Sequence, residues 1–183
     1  MYDSKNTILN FIPSLRRYAR ALTGELSMAD QVVKQSFDCA VSLNHLFKDE
    51  LEADKKVRLF SIFHQMYNDY INEQKKVYWP LDHEALTTDL GAVDKLDSKY
   101  RNDKFYQIFY QLPLLQKQVF LLVTLERFKY EEVTRILNLP LGAMLSQLHT
   151  ARRFIADKVY SRSAAQSTSV GANETEEAAE MSL

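Results

Sequence analysis

The side chains of this chain that could do chemistry are recognition groups, not reactive ones. The four histidines, His45, His64, His83 and His149, lie far apart, and none forms a metal-ligand cluster with the one cysteine, Cys39. There is no phosphate-binding glycine loop and no nucleophile elbow. Catalytic residues, metal ligands and cofactors are therefore not expected. Two other groups stand out. Ser146, Gln147, His149 and Thr150 are followed by Arg152 and Arg153. A glutamine can pair bidentately with adenine, and guanidinium groups suit phosphate. Earlier, His64, Gln65, Asn68 and Asn72 interleave with Tyr67 and Tyr70, and Lys75 and Lys76 close the run. Aromatic faces beside cations are what unpaired bases stack on. Core packing is the commoner fate of a helical aromatic, and it stays open for both tyrosines.

The elements that must position these groups read as helices. Tyr130, Val133, Ile136 and Leu137 follow helical spacing, with Glu131 and Glu132 in the first turn where negative charge suits the dipole. Asn138, Leu139 and Pro140 stop that helix, because the residue before a proline is pushed out of the α region. A second helix starts near Leu141, with apolar positions at Leu141, Met144, Leu145, Leu148, Ala151, Ile155 and Val159. Two short amphipathic helices around a three-residue break have helix-turn-helix geometry, which a plain helical hairpin shares.

Three more helices are expected upstream. Ile12, Leu15, Tyr18, Ala19 and Leu22 mark the first, with Pro13 in its first turn and Gly24 as C-cap. Ser27 and Asp30 suggest a capping box opening the second, which buries Val32, Val33, Phe37, Ala40 and Val41. The third runs over about residues 53–74, with a stripe of Val57, Phe60, Phe63, Met66 or Tyr67, Tyr70 and Ile71. The fold class is all-α: two small helical domains joined by a flexible linker. The expected boundaries are 1–79 and 103–160, with a linker over 80–102 and a disordered tail over 161–183 that is rich in Ser, Ala and Glu.

Charge narrows the class. The chain of 183 residues has net charge −1. Residues 103–160 hold eight Lys/Arg and five Asp/Glu, or +3, whereas 161–183 come to −3 and 80–102 to −2. So modest a basic footprint predicts weak DNA binding by the isolated protein. No run of about 18 apolar residues and no secretory leader is found, so a cytoplasmic protein without a membrane span is expected. Cys39 can form no internal disulfide and reads as a small core residue.

Several strings carry a family resemblance. Leu112-Pro113, Val119-Phe120-Leu121-Leu122, Tyr130-Glu131-Glu132-Val133, Ile136-Leu137, Leu139-Pro140-Leu141-Gly142, Ser146, Leu148 and Ala151-Arg152 resemble region 4 of extracytoplasmic-function (ECF) sigma factors. The run from Ile12 to Gly24, with His45-Leu46-Phe47 and Leu59 to His64, resembles region 2 of the alphaproteobacterial type. The resemblance implies a sigma factor that binds core RNA polymerase through the β′ clamp helices and the β flap. Region 4 would bind the minus-35 element through Tyr130, Leu141, Gly142, Ser146, Gln147, His149, Thr150, Arg152 and Arg153. Region 2 would open the minus-10 element through His64, Gln65, Asn68, Asn72, Lys75 and Lys76. Asp30, Gln31, Lys34 and Gln35 would meet the polymerase. Promoter DNA and an anti-sigma factor are implied partners, and a stress response the implied setting.

Departures from the family pattern define a rival. Asp30-Gln31-Val32-Val33-Lys34-Gln35 keeps one carboxylate where the family has two or three. Gln147 and Thr150 stand where arginines are common, Leu145 where Lys or Met is usual, Arg58 where tryptophan is common, and Thr134 where a small alanine is usual. These losses suit a sigma-like decoy that binds an anti-sigma factor and no promoter.

Overall fold

A computed structural model describes residues 3–43, 51–77 and 103–180. Every regular element among them is a helix: α1 Asp3–Thr23, α2 Leu26–Ser42, α3 Glu52–Val77, α4 Lys104–Phe109, α5 Leu114–Thr124, α6 Tyr130–Leu137 and α7 Leu141–Glu180. The chain is all-α, as its periodicity predicts. The expected linker over 80–102, the Trp79-Pro80 boundary and the His45-Leu46-Phe47 match lie outside the described residues.

Helix α1 starts earlier than expected, so Pro13 lies inside it and not in its first turn. Ile8, with 1% of its surface exposed, extends the buried stripe of Leu15, Tyr18 and Leu22 back by two turns. Burial of that stripe carries the helix through the proline, while Leu9, four residues before it, stays on the exposed face. Gly24 ends α1 at φ 71°, with its N–H on the Arg20 carbonyl at 2.9 Å. That left-handed conformation is the C-cap the sequence predicts.

The expected capping box at Ser27 and Asp30 does not form. Glu25 is the N-cap of α2 and gives no side-chain cap, and the Ser27 hydroxyl donates to the Glu25 carboxylate at 2.8 Å. The Asp30 carboxylate is taken by α1 instead, through two hydrogen bonds from Arg20 at 3.2 and 2.7 Å. Cys39 is a half-buried free thiol beside the core.

The first three helices pack around Leu15, Tyr18, Leu22, Val32, Val33, Val57, Phe60 and Phe63, all buried. Helices α4 to α7 bury Phe109, Leu112, Val119, Leu122, Val133, Ile136, Met144, Leu148 and Ala151. The two sets join into one continuous hydrophobic cluster. Phe60 is the joint: its ring lies 5.4 Å from Tyr18 on α1 and 4.9 Å, edge to face, from Phe128 ahead of α6.

Helix α7 runs to Glu180, where disorder was expected from residue 161. Alanine and glutamate are good helix formers, and the stretch has one glycine and no proline, so local propensity continues the helix. Residues 181–183 lie outside the described residues.

Candidate nucleic-acid and polymerase interface

The helix-turn-helix is built by local bonds. Before α6, the Lys129 N–H donates to the Glu132 carboxylate at 2.7 Å, which satisfies one orphan donor at the helix start. After α6, Asn138 adopts φ 51°, and its N–H and that of Leu139 both return to the Thr134 carbonyl. The left-handed asparagine thus ends the helix one step ahead of the effect expected from Pro140. The Pro140 carbonyl then accepts the Met144 N–H at 3.0 Å and opens α7. Val133 and Ile136 of α6 pack with Met144, Leu148 and Ala151 of α7 in one buried seam.

That seam fixes what α7 shows to solvent. Gly142, Ser146, His149, Thr150, Arg152 and Arg153 are exposed, and Gln147 is half-buried. Leu141 and Tyr130 are also exposed. The Thr150 hydroxyl donates to the Ser146 carbonyl at 2.9 Å, and that of Thr134 to the Glu131 carbonyl at 2.8 Å. Arg153 lies 3.7 Å from Asp157, one turn on. Leu145, an apolar position of the helical pattern, is 39% exposed. Val159 is likewise 44% exposed, because the seam is already filled by Met144, Leu148 and Ala151.

On α3, Gln65, Asn68 and Asn72 are exposed at spacings of three and four, so they line one face. The helix backbone includes Lys75 and Lys76, whose side chains lie outside the described residues. His64 does not join this row. It is 3% exposed, and its Nε2 meets the Tyr18 hydroxyl at 2.8 Å in the core. Tyr67 is 4% exposed and stacked on Phe63 at 5.9 Å, and Tyr70 is partly buried against the core, so both tyrosines pack here. Their register with Phe60 and Phe63 sets the inward face.

Burial lowers the His64 imidazole from the ordinary 6.5 to about 3. Burial first, then the charges of Tyr67 and Glu126, raises the Tyr18 hydroxyl well above 10. An unfolded chain takes up a proton near pH 6.5 that the folded chain resists. The stability His64 contributes is therefore full above pH 6.5 and is lost as pH falls toward about 3. The slope is at most about 1.4 kcal/mol per pH unit. His64→Gln keeps a partner for Tyr18 but does not titrate. Between pH 7 and pH 5.5 the parent is expected to lose about 1 kcal/mol more than this variant in denaturant unfolding. Equal losses would contradict the buried neutral imidazole.

On α2, Gln31, Lys34 and Gln35 are exposed. Asp30 is 39% exposed at its side chain, but Arg20 and Arg16 hold it at 2.7 and 3.3 Å. The Arg20 hydrogen bond first, helped by the charges of Arg20 and Arg16, keeps its carboxyl below the usual carboxylate range. The acid remaining at this face is thus engaged within the molecule.

A third set of residues was not read from the sequence, and it ties α1 and α3 to the C-terminal helices. Arg17 donates twice to Glu126, at 3.0 and 2.9 Å, and the Glu126 side chain is 0% exposed. The Tyr110 hydroxyl donates to the Ala21 carbonyl at 2.7 Å. The Lys56 ammonium lies 4.5 Å from the Phe128 ring, and Arg135 of α6 pairs with Asp54 of α3 at 2.8 Å. Arg127 turns the chain at φ 56°, so that the Phe128 N–H reaches the Leu122 carbonyl and Phe128 enters the joint. The partners are 72 to 109 residues apart, so no local pattern announces them. The one signal was Glu126, an acid among Leu125, Leu122 and Phe128.

Among the described residues no helix is long and apolar enough to cross a membrane, and no group of three or more His, Cys, Asp or Glu could hold a metal ion.

Comparison with known proteins agrees with this arrangement. The family model for the Sigma2 domain of PhyR matches residues 8–64, and that for Sigma-70, region 4 matches residues 103–155. These 57 and 53 residues make 110 of the 183. The chain is 22% identical over 156 residues to the ECF RNA polymerase sigma factor EcfG of Rhodopseudomonas palustris (strain TIE-1), covering 85% of this chain and 84% of that one. Its fold is similar to the sigma factor RpoE solved in complex with the anti-sigma factor NepR from Bartonella quintana. That match has TM-score 0.66 at 20% identity and covers 87% and 98% of the two chains. It is also similar to the PhyRSL–NepR complex from Sphingomonas sp. Fr1, with TM-score 0.58 at 18% identity over 83% and 86%. With a Sigma2 domain of the PhyR kind and Sigma-70 region 4 matched in order over more than half its length, the chain belongs to the sigma-factor family.

Proposed function

We propose that this protein binds core RNA polymerase and directs promoter-specific initiation in the cytoplasm, as part of a stress response and under anti-sigma control. The observation that carries the reading is the pairing of two exposed recognition faces on one chain. One is the outer strip of α7, behind a well-formed helix-turn-helix. The other is the polar row Gln65, Asn68 and Asn72 on α3. The first suits duplex bases and phosphates, and the second suits unpaired bases. Polymerase contact would fall to Gln31, Lys34 and Gln35 on α2, through the β′ clamp helices, and to the region 4 helices, through the β flap.

In this reading the molecule opens when polymerase takes it. Promoter elements at minus 35 and minus 10 are about 25 base pairs apart, or about 85 Å at about 3.4 Å per pair. Helix α3, with 26 residues, spans only about 39 Å. We infer that domains held together through Phe60 and Phe128 part in order to reach both elements.

Co-elution with core polymerase is the first test, followed by promoter binding across a salt series. Arg152→Ala with Arg153→Ala is expected to weaken binding alike on all sequences. It should also lower the salt slope by about 2, near one unit per phosphate contact. An unchanged slope would show that these side chains meet no phosphate.

A second reading, the sigma-like decoy, is favoured by one observation. The acid of the α2 face, Asp30, is occupied by Arg16 and Arg20. A chain that never elutes with core polymerase but binds an anti-sigma factor tightly would be this decoy.

A further inference from the structure

We propose that the reading face of α7 selects A·T pairs in the upstream promoter element and makes no bidentate guanine contact. This rests on the promoter-binding reading above. Guanine presents O6 and N7 in the major groove, and arginine or lysine is what grips both. Residues 141–150, the first ten of α7, include neither. The first guanidinium groups, on Arg152 and Arg153, come about 17 Å along the helix, at about 1.5 Å per residue. A recognition helix reads bases with its N-terminal residues, so cations this late meet the phosphate backbone.

What the first turns do offer is specific. Gln147 can pair with adenine N6 and N7. Leu141 and Leu145 are 46% and 39% exposed and lie one turn apart on one side of the helix. The apolar feature in the major groove is the thymine methyl, so exposed leucines at a reading face gain only there. Thr150 has already given its hydroxyl hydrogen to the Ser146 carbonyl, which leaves its methyl as a further thymine contact. His149, exposed beside them, brings a single ring N–H to any purine N7 and does not tell adenine from guanine.

The experiment selects bound sites from a random duplex pool with the full chain held by core RNA polymerase and sequences their upstream elements. Sites rich in A·T are expected, with adenine favoured over guanine about tenfold or more at one position. Gln147→Arg is expected to turn that position to guanine and leave its neighbours unchanged. Replacing thymine with deoxyuracil, which lacks the methyl, is expected to weaken the parent several-fold and Leu145→Ala much less. Parent sites with an invariant guanine would overturn this inference and leave the promoter reading standing. No duplex enriched by the parent or by Gln147→Arg would overturn both, and would mark the exposed leucines as a protein-docking face.

Discussion

Phe60→Ala is expected to cost about 3–5 kcal/mol and to separate the two halves of the molecule. The side chain is 0% exposed and fills the space between Tyr18 of α1 and Phe128 ahead of α6. Truncation removes its transfer free energy and leaves a cavity bounded by rigid rings, which collapse poorly into it. Both aromatic contacts go at once, one within the first three helices and one across to the last four. The edge-to-face geometry at 4.9 Å adds about 0.5–1.5 kcal/mol beyond burial. The checks are denaturant unfolding and small-angle scattering. Loss of stability with an enlarged radius of gyration is the expected result. A variant that loses stability but stays closed would show that the polar ties alone hold the halves together. Phe128→Ala, on the other side of the joint, is expected to open the molecule while disturbing the first three helices less.

Arg17→Ala is expected to cost about 2 kcal/mol, again with opening. The reason is what it leaves behind. Glu126 has no side-chain surface exposed to water, and Arg17 supplies two charge-assisted hydrogen bonds to it. Breaking a fully buried ion pair by removing one partner costs about 3–5 kcal/mol, because the other charge is stranded. Arg17 is 56% exposed, so solvent screens part of the attraction and the lower figure applies. Glu126→Gln should cost less, since its amide oxygen still accepts from Arg17. A double-mutant cycle on the pair should return a coupling near 1–2 kcal/mol. A cycle that returns zero would mean that the pair is geometry without energy.

These two sites also show what the sequence could and could not reveal. The helix-turn-helix was legible because its determinants are local. Tyr130, Val133 and Ile136 set a face, Asn138 and Pro140 end one helix and start the next, and all lie within a dozen residues. Its start at Leu141 agrees with the expectation. His64 does not share the exposed face of Gln65, Asn68 and Asn72. Its spacing of four from Phe60 puts it on the inward side, and its partner Tyr18 lies 46 residues away. Asp30 was read as a helix cap or a polymerase contact, whereas Arg16 and Arg20 of the preceding helix claim it. The joint of Arg17 with Glu126 and of Phe60 with Phe128 has no periodic signature at all. It exists only once the chain has folded back on itself across the linker, and it decides whether the two recognition faces are held together or free to part.

The central claim, that this chain directs polymerase to promoters, is tested most directly by reconstituted run-off transcription. The chain is added to core RNA polymerase on promoters from its own genome. A specific transcript is expected, and Asn68→Ala with Asn72→Ala should diminish it. No transcript from any promoter, together with a tight complex between the chain and an anti-sigma factor, would contradict the claim.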